Sequence, residues 1–284
     1  MKKCSIVWIA VLVAAVMTHP SAVLAESARE AYDNGEVLLA KADFNGAMKA
    51  FAAAARADRS TPEYYQHYSL VRQVIALRKR LDTERNSAYW QRTAQSLHSF
   101  YISNGIYSEA LPLDKRVHAR LDTTASAVTL AETQLAMDLN AEASAVLEAL
   151  DAGKATTAAR ALLGVALARN GKVEEARQLA EAIKLSDKAG PGTLYSVARL
   201  HGEIDNTDEA LGLLKRTFES IAPSRLEDFK NHARKSREFA ALASTAAFAK
   251  VLETKSKIAE SKCSGGSSCA GCPMRGKCPS SQGN

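Results

Sequence analysis

The sequence predicts an all-α protein whose body repeats one pair of helices. Alanine is abundant, aromatic residues make up only 6% of the chain and runs of β-branched residues are scarce, which favours helices over strands. Five stretches also share an apolar helix end, a polar turn and a second helix anchored by alanine. The separations between anchors are 63, 33, 33 and 34 residues for Ala47, Ala110, Ala143, Ala176 and Ala210.

Residues 1–25 are predicted to be a secretory signal peptide. "MKK" supplies a cationic start, "IVWIAVLVAAVM" an apolar core and "VLA" a small-residue exit, so cleavage is expected after Ala25. The apolar core is shorter than the roughly twenty residues that span a bilayer. No cysteine follows the cleavage site to carry a lipid. We therefore expect an exported bacterial protein, periplasmic or secreted, without a stable membrane anchor.

The repeat is clearest in "LLAKADFNGAMKAF" (38–51), "LARNGKVEEARQLA" (167–180) and "HGEIDNTDEALGLL" (201–214). This pattern resembles the tetratricopeptide repeat (TPR) family, whose unit is a helix, a turn and a helix in about 34 residues. The twentieth-position alanine of the family is matched by the five anchoring alanines, whereas its fourth-position tryptophan is absent. Its small residue at the eighth position is matched by Gly35, Ala131, Gly164 and Ala198.

The resemblance implies an α-solenoid, a superhelix of stacked helix pairs, over residues 26–220. It implies about six units, and the 63-residue step leaves room for a degenerate one at 62–90. Small residues let the helices of a pair approach closely, while larger residues fill the gap to the next unit. Residues 221–254 are predicted to form a helical C-terminal cap, because an uncovered last unit would expose an apolar face to water.

By analogy with the family, the first helix of each unit lines a concave groove that binds a protein or peptide partner. The groove positions are rich in arginine, tyrosine and amide side chains, which suit an extended peptide. For each residue the alternative is an ordinary solvated side chain. The predicted groove residues are Tyr32, Glu36, Arg92, Gln95, Ser99, Glu132, Arg169, Tyr195 and Arg199.

No catalytic constellation is evident, so the chain is predicted not to be an enzyme. It has no GxSxG, HExxH, phosphate-loop or GxGxxG motif, and no two histidines have metal-ligand spacing on one helix. The formal net charge of the chain is +6, and it decreases when Lys2 and Lys3 are removed with the predicted signal peptide. The remaining charges are evenly mixed, which argues against a nucleic-acid partner. The sequence does not predict the oligomeric state.

Residues 255–284 are predicted to be a flexible tail with the pattern Cx5CxxCx5C at Cys263, Cys269, Cys272 and Cys278. Export favours two disulfides, because exported thiols meet an oxidising environment and four cysteines pair evenly. The CxxC and the neighbouring glycines also suit a zinc or iron–sulfur site. Lysines in the tail would lower the thiol pKa and so suit thiol exchange. These three alternatives stay open.

Together these observations predict an exported, non-catalytic scaffold or adaptor that binds a protein or peptide in the groove of a TPR superhelix. No cofactor is expected outside the cysteine tail. The alternative is a metal-binding or thiol-redox module in that tail, for which the repeats serve as a docking platform.

Overall fold

A computed structural model describes residues 20–151 and 153–259, and within these ranges the chain forms helices and no strands. The helices are α1 (Pro20–Ala40), α2 (Phe44–Ala57), α3 (Pro62–Thr83), α4 (Ser87–Ser103), α5 (Tyr107–Leu121), α6 (Thr124–Ala136), α7 (Asn140–Glu148), α8 (Thr157–Arg169), α9 (Val173–Ala182), α10 (Pro191–Glu203), α11 (Thr207–Glu219), α12 (Pro223–Lys235), the 3₁₀-helix η1 (Arg237–Leu242) and α13 (Ala246–Leu252).

The chain divides into two compact units, and the division falls inside α5, between Val117 and His118. In unit 1, before the division, consecutive helices pack around an aromatic core that includes Phe51 and Trp90, both fully buried. In unit 2, after it, the helix pairs α6–α7, α8–α9 and α10–α11 enclose a core made mostly of alanine and leucine. Each unit therefore has its own apolar core.

The five predicted turns between paired helices share one backbone geometry. Each contains a residue with φ between 57° and 83°, always five positions before the anchoring alanine: Ala42, Gly105, Asp138, Gly171 and Asp205. The next N–H donates to the carbonyl five residues earlier, at 2.8–2.9 Å. This is the Schellman bond that closes a helix C-terminus. The repeated helix pair is thus present in the backbone as well as in the sequence.

The small residues occupy the close helix contacts that the sequence predicts for them. All five anchoring alanines are 0% exposed. A Cβ on Gly35 would lie 2.6 Å from the Phe51 ring, and one on Gly164 would lie 2.6 Å from Leu200. Real Cβ atoms do not approach other atoms so closely, so a larger residue would force the facing side chain to shift. The first contact lies within the pair α1–α2, and the second lies between α8 and α10 of neighbouring pairs.

Residues 62–90 are the stretch for which the sequence predicts a degenerate unit. They contain one long helix, α3, followed by the start of α4. No glycine, internal proline or positive φ interrupts the chain between Pro62 and Thr83, so nothing breaks the helix. α3 packs against both α2 and α4.

The predicted cap, residues 221–254, consists of α12, η1 and α13. η1 packs on α10, and α13 packs on α11. Leu226, Ala233, Phe239 and Phe248 are buried there, as their apolar spacing predicts. The cap therefore covers residues of the last helix pair.

The start of the predicted tail is attached to the last helix pair. The Lys257 N–H donates to the carbonyl of Glu219 at 2.8 Å, and its ammonium lies 2.9 Å from the Glu219 carboxylate. The four tail cysteines lie outside the described residues.

At the other end, α1 begins at Pro20, so the predicted cleavage site after Ala25 falls within this helix. Ala28, downstream of that site, is fully buried. None of the described helices has the length and apolar character needed to cross a membrane.

Candidate functional site

The predicted groove residues fall into three groups. Tyr32 and Glu36 lie on α1, where they contact α3. Arg92, Gln95 and Ser99 lie on the exposed side of α4. The third group belongs to unit 2 and comprises Glu132 on α6, Arg169 on α8, and Tyr195 and Arg199 on α10.

The α1 residues belong to a polar cluster with α3. The Tyr32 hydroxyl donates to a Glu63 carboxylate oxygen at 3.1 Å and lies 3.3 Å from His67 Nε2. His67 Nδ1 lies 2.9 Å from a carboxylate oxygen of Glu36. Burial, followed by the charge of Glu36, raises the pKa of Tyr32 to about 12. These groups hold α1 and α3 together, so Tyr32 and Glu36 are already engaged within unit 1.

The second group forms a surface that we call the α4 face: Tyr89, Arg92, Gln95 and Ser99. All four side chains are exposed, and the Tyr89 residue is 49% exposed. The Arg92 guanidinium carbon lies 5.0 Å from the centre of the Tyr89 ring, and that of Arg80 lies 5.7 Å from it. A cation near an aromatic ring is attracted to the negative face of the ring. The α4 face thus combines an exposed aromatic ring with positive charge.

The third group surrounds a carboxylate that comes from the cap. Arg199 Nε donates to Glu238 Oε1 at 2.7 Å, and Arg169 Nη2 lies 3.0 Å from the same oxygen. The side chains of Arg169 and Glu238 are each 3% exposed, and that of Arg199 is 12% exposed. Arg169 also donates to Glu203 at 3.1 Å and to the carbonyl of Leu135 at 3.0 Å.

Electrostatics in this cluster favour the charged forms. Burial opposes ionisation of Glu238, but attraction to Arg199 and Arg169 outweighs it and holds the pKa of the carboxyl below its ordinary value. Burial likewise opposes the charge on Arg199, yet Glu238 and then Glu132 raise its pKa. The cluster is therefore a buried ion network in which each charge depends on its partners.

Tyr195 and Gly202 on α10 complete the contact with the cap. The Tyr195 hydroxyl lies 2.8 Å from Ser236 Oγ, and its ring centre is 6.0 Å from that of Phe239. Burial raises the pKa of Tyr195 to about 12. A Cβ on Gly202 would lie 2.6 Å from the carbonyl oxygen of Glu238. We call Arg169, Tyr195, Arg199 and Gly202 the arginine-pair site.

The arginine-pair site is filled by residues 236–239 of the same chain. Sequence reasoning assigned this stretch to the cap from its apolar spacing alone and did not identify Ser236, Glu238 or Glu203 as parts of the site. The available signal was Glu238, the one acidic residue of the stretch "HARKSREFAAL" (232–242). A buried carboxylate needs cationic partners, and the predicted groove contains arginines that could supply them.

Two further polar features lie in unit 1. His98 Nδ1 lies 2.8 Å from a carboxylate oxygen of Asp114, whose side chain is only 1% exposed. A cavity of about 190 Å³ lies between Arg78 and Arg116. Each arginine is paired with a carboxylate, Glu109 and Asp82 respectively. The cavity therefore offers balanced charge rather than a single strong field.

Within residues 20–151 and 153–259, no three histidine, cysteine, aspartate or glutamate side chains could hold a metal ion together. The proposed zinc or iron–sulfur ligands, Cys263, Cys269, Cys272 and Cys278, are outside these ranges.

No known family model matches the sequence, and no curated protein is significantly similar to it. Membership of the TPR family therefore stays a prediction that the shared turns support.

Proposed function

We propose that the protein is an exported, non-catalytic adaptor of the TPR type that binds an extended segment of a partner protein on the α4 face. The observation that carries the proposal is the contrast between the predicted groove residues. Arg92, Gln95 and Ser99 are exposed, whereas Arg169, Tyr195 and Arg199 are engaged by the chain itself. The α4 face thus has side chains free to contact another molecule.

The chemistry of the α4 face suits a peptide ligand. Tyrosine gives a large contact at low entropic cost, and tyrosine and arginine are both enriched in the energetically dominant parts of protein interfaces. Gln95 can donate and accept hydrogen bonds with a peptide backbone. Arg92 beside Tyr89 favours a segment that carries a carboxylate, whereas the other arginine near the ring, Arg80, is paired with Glu84.

Capture of partners from the native envelope fraction tests this proposal. We expect the wild-type chain to retain a discrete partner that an Arg92→Ala/Gln95→Ala variant does not retain. The matched control is Arg177→Ala/Gln178→Ala, which removes the same residue types from the exposed side of α9. Equal capture by both variants would count against the α4 face.

The cysteine pattern supports a second candidate function, metal binding or thiol exchange in the tail. Thiol titration and metal analysis should be compared between the full chain and a chain lacking residues 260–284. This truncation keeps Lys257, which contacts Glu219. Bound metal or reactive thiols in the full chain alone would support the candidate. Closed disulfides, with partner capture unchanged by truncation, would remove it.

A further inference from the structure

Residues 236–239, Ser-Arg-Glu-Phe, lie against α8 and α10 in the manner of a bound peptide. Two side chains anchor the segment. The Glu238 carboxylate lies between the guanidinium groups of Arg169 and Arg199. Phe239 is 1% exposed and lies beside Tyr195. The segment is short, non-α-helical and held by one charge and one ring.

The backbone of the segment also fits a surface shaped to receive it. The Glu238 carbonyl oxygen would lie 2.6 Å from a Cβ on Gly202, and the Phe239 ring would lie 3.1 Å from that atom. The absence of a side chain at Gly202 therefore lets a peptide main chain approach α10 closely.

The two arginines differ in what they would retain if the segment left. Arg169 would keep Glu203 and the carbonyl of Leu135 as hydrogen-bond acceptors. Arg199 would lose the Glu238 carboxylate, to which it donates at 2.7 Å, and would keep the charge of Glu132 as a neighbour. Loss of the carboxylate that the two buried arginines share is costly, so the vacated surface would favour another carboxylate.

Several features of residues 236–239 bear on whether another peptide could replace them. η1 is a 3₁₀-helix, whose hydrogen bonds have poorer geometry than those of an α-helix. Its flanks, Ser236 on one side and Ala243 and Ser244 on the other, are not buried. Arg237 is exposed and bonded to Asp138 at the surface. Besides the two anchors and Leu242, release would break the Tyr195–Ser236 hydrogen bond, the Arg237–Asp138 ion pair and the contact between the Phe239 and Phe248 rings.

We propose that the arginine-pair site binds a partner segment that carries a carboxylate followed directly by an aromatic residue, and that residues 236–239 are an internal competitor for it. A displacing partner must supply both anchors, since a carboxylate alone would leave the space of the Phe239 ring unfilled and an aromatic alone would leave no carboxylate shared by Arg169 and Arg199. The site lies in unit 2, so this proposal and the one for the α4 face stand or fall separately.

The direct test adds the segment back as a free peptide. A labelled peptide of residues 235–243, KSREFAALA, is titrated against the full wild-type chain and against the full-chain variant Glu238→Gln/Phe239→Ala. The variant removes both internal anchors but leaves the four site residues unchanged. We expect at least about tenfold tighter binding to the variant, because an internal competitor lowers the fraction of binding-competent molecules.

Two controls identify the contacts. A peptide in which the glutamate and the phenylalanine are replaced by glutamine and alanine should not bind the variant. Adding Arg199→Met to the variant should abolish binding of the original peptide. Binding that survives Arg199→Met, or equal binding to the wild type and the variant, would overturn the proposal. A folded variant that binds neither peptide would overturn it as well.

A second measurement covers the case in which the variant does not fold, as judged by circular dichroism. Hydrogen exchange of residues 236–242 is then followed in the wild-type chain with and without excess KSREFAALA peptide. Displacement of the internal segment predicts faster exchange there with the peptide, and no change with the control peptide. Unchanged exchange at a peptide concentration far above that of the chain would overturn the proposal.

Discussion

One residue with positive φ lies in each turn between paired helices. Gly105 and Gly171 adopt positive φ without steric cost, whereas Ala42, Asp138 and Asp205 adopt it with a Cβ. The shared conformation at such different residues shows that the flanking helices impose the turn. The sequence could reveal these positions only through their constant distance from the anchoring alanines.

Gly171→Ala and Gly212→Ala should change stability in opposite directions. Neither new methyl group would meet another atom within 4 Å. Gly171 has φ of +83°, which costs an L-residue about 1 kcal/mol or more. Gly212 lies inside α11, where alanine is favoured over glycine by about 1 kcal/mol. Urea unfolding of both variants measures the two effects, and the same sign for both would contradict the turn geometry.

Gln134→Leu should stabilise unit 2. Gln134 is 3% exposed, and its side-chain oxygen has no hydrogen-bond partner. A buried unsatisfied polar group costs about 1–3 kcal/mol. Leucine occupies the corresponding repeat position at Leu38 and Leu167. We expect a gain of about 1 kcal/mol in the free energy of unfolding. Gln134→Glu is the control and should destabilise; a Leu variant less stable than wild type would contradict the prediction.

The contribution of Glu238 to stability should depend on pH. Its folded-state pKa lies below the ordinary value of 4.5, so the unfolded chain binds a proton more readily. The contribution is therefore complete above the unfolded value and is lost as the pH falls through the folded value. The difference in unfolding free energy between wild type and Glu238→Gln should be about 3 kcal/mol near pH 7 and should shrink in acid.

Urea unfolding at about pH 7 and at about pH 3.5 measures this difference. Glu174→Gln, at an exposed carboxylate on α9, is the control and should change stability little at either pH. If Glu238→Gln lowered the free energy of unfolding equally at both pH values, ionisation of Glu238 would not be the source of the effect.

At the scale of helices, the local sequence pattern predicted the helix pairs but not the contact of η1 with α8 and α10. The helix pairs with a shared turn could be predicted, because the two helices and the turn of one pair are close together in sequence. The stretch predicted as a degenerate unit, 62–90, forms one long helix and the start of the next, since no turn residue interrupts α3. The contact of η1 with α8 and α10 joins residues far apart in the chain, and helical periodicity carries no information about such contacts.

Gly202→Ala should loosen η1 from α10. The added methyl would lie 2.6 Å from a backbone oxygen, which cannot move aside as a flexible side chain can. Overpacking of this kind typically costs about 1–3 kcal/mol. Gly192→Ala in the same helix meets no atom within 4 Å and is the matched control. Hydrogen exchange should accelerate at residues 236–242 in the first variant alone. Slow exchange there in both variants would contradict the packing described for Gly202.

At the scale of the whole molecule, the two units present different surfaces. Unit 2 uses three of its predicted groove residues to hold its own cap, through a buried ion network centred on Glu238. Unit 1 keeps the α4 face exposed, with Tyr89 close to two arginines. We therefore expect a partner to bind unit 1, at the α4 face.

Site-specific photo-crosslinking in cells tests this central assignment most directly. A photoreactive side chain replaces Gln95 on α4, and the matched control replaces Gln178 on α9; both positions are exposed. The account predicts a discrete crosslinked protein from position 95 that is absent from position 178. No adduct at position 95, or the same adducts from both positions, would contradict it.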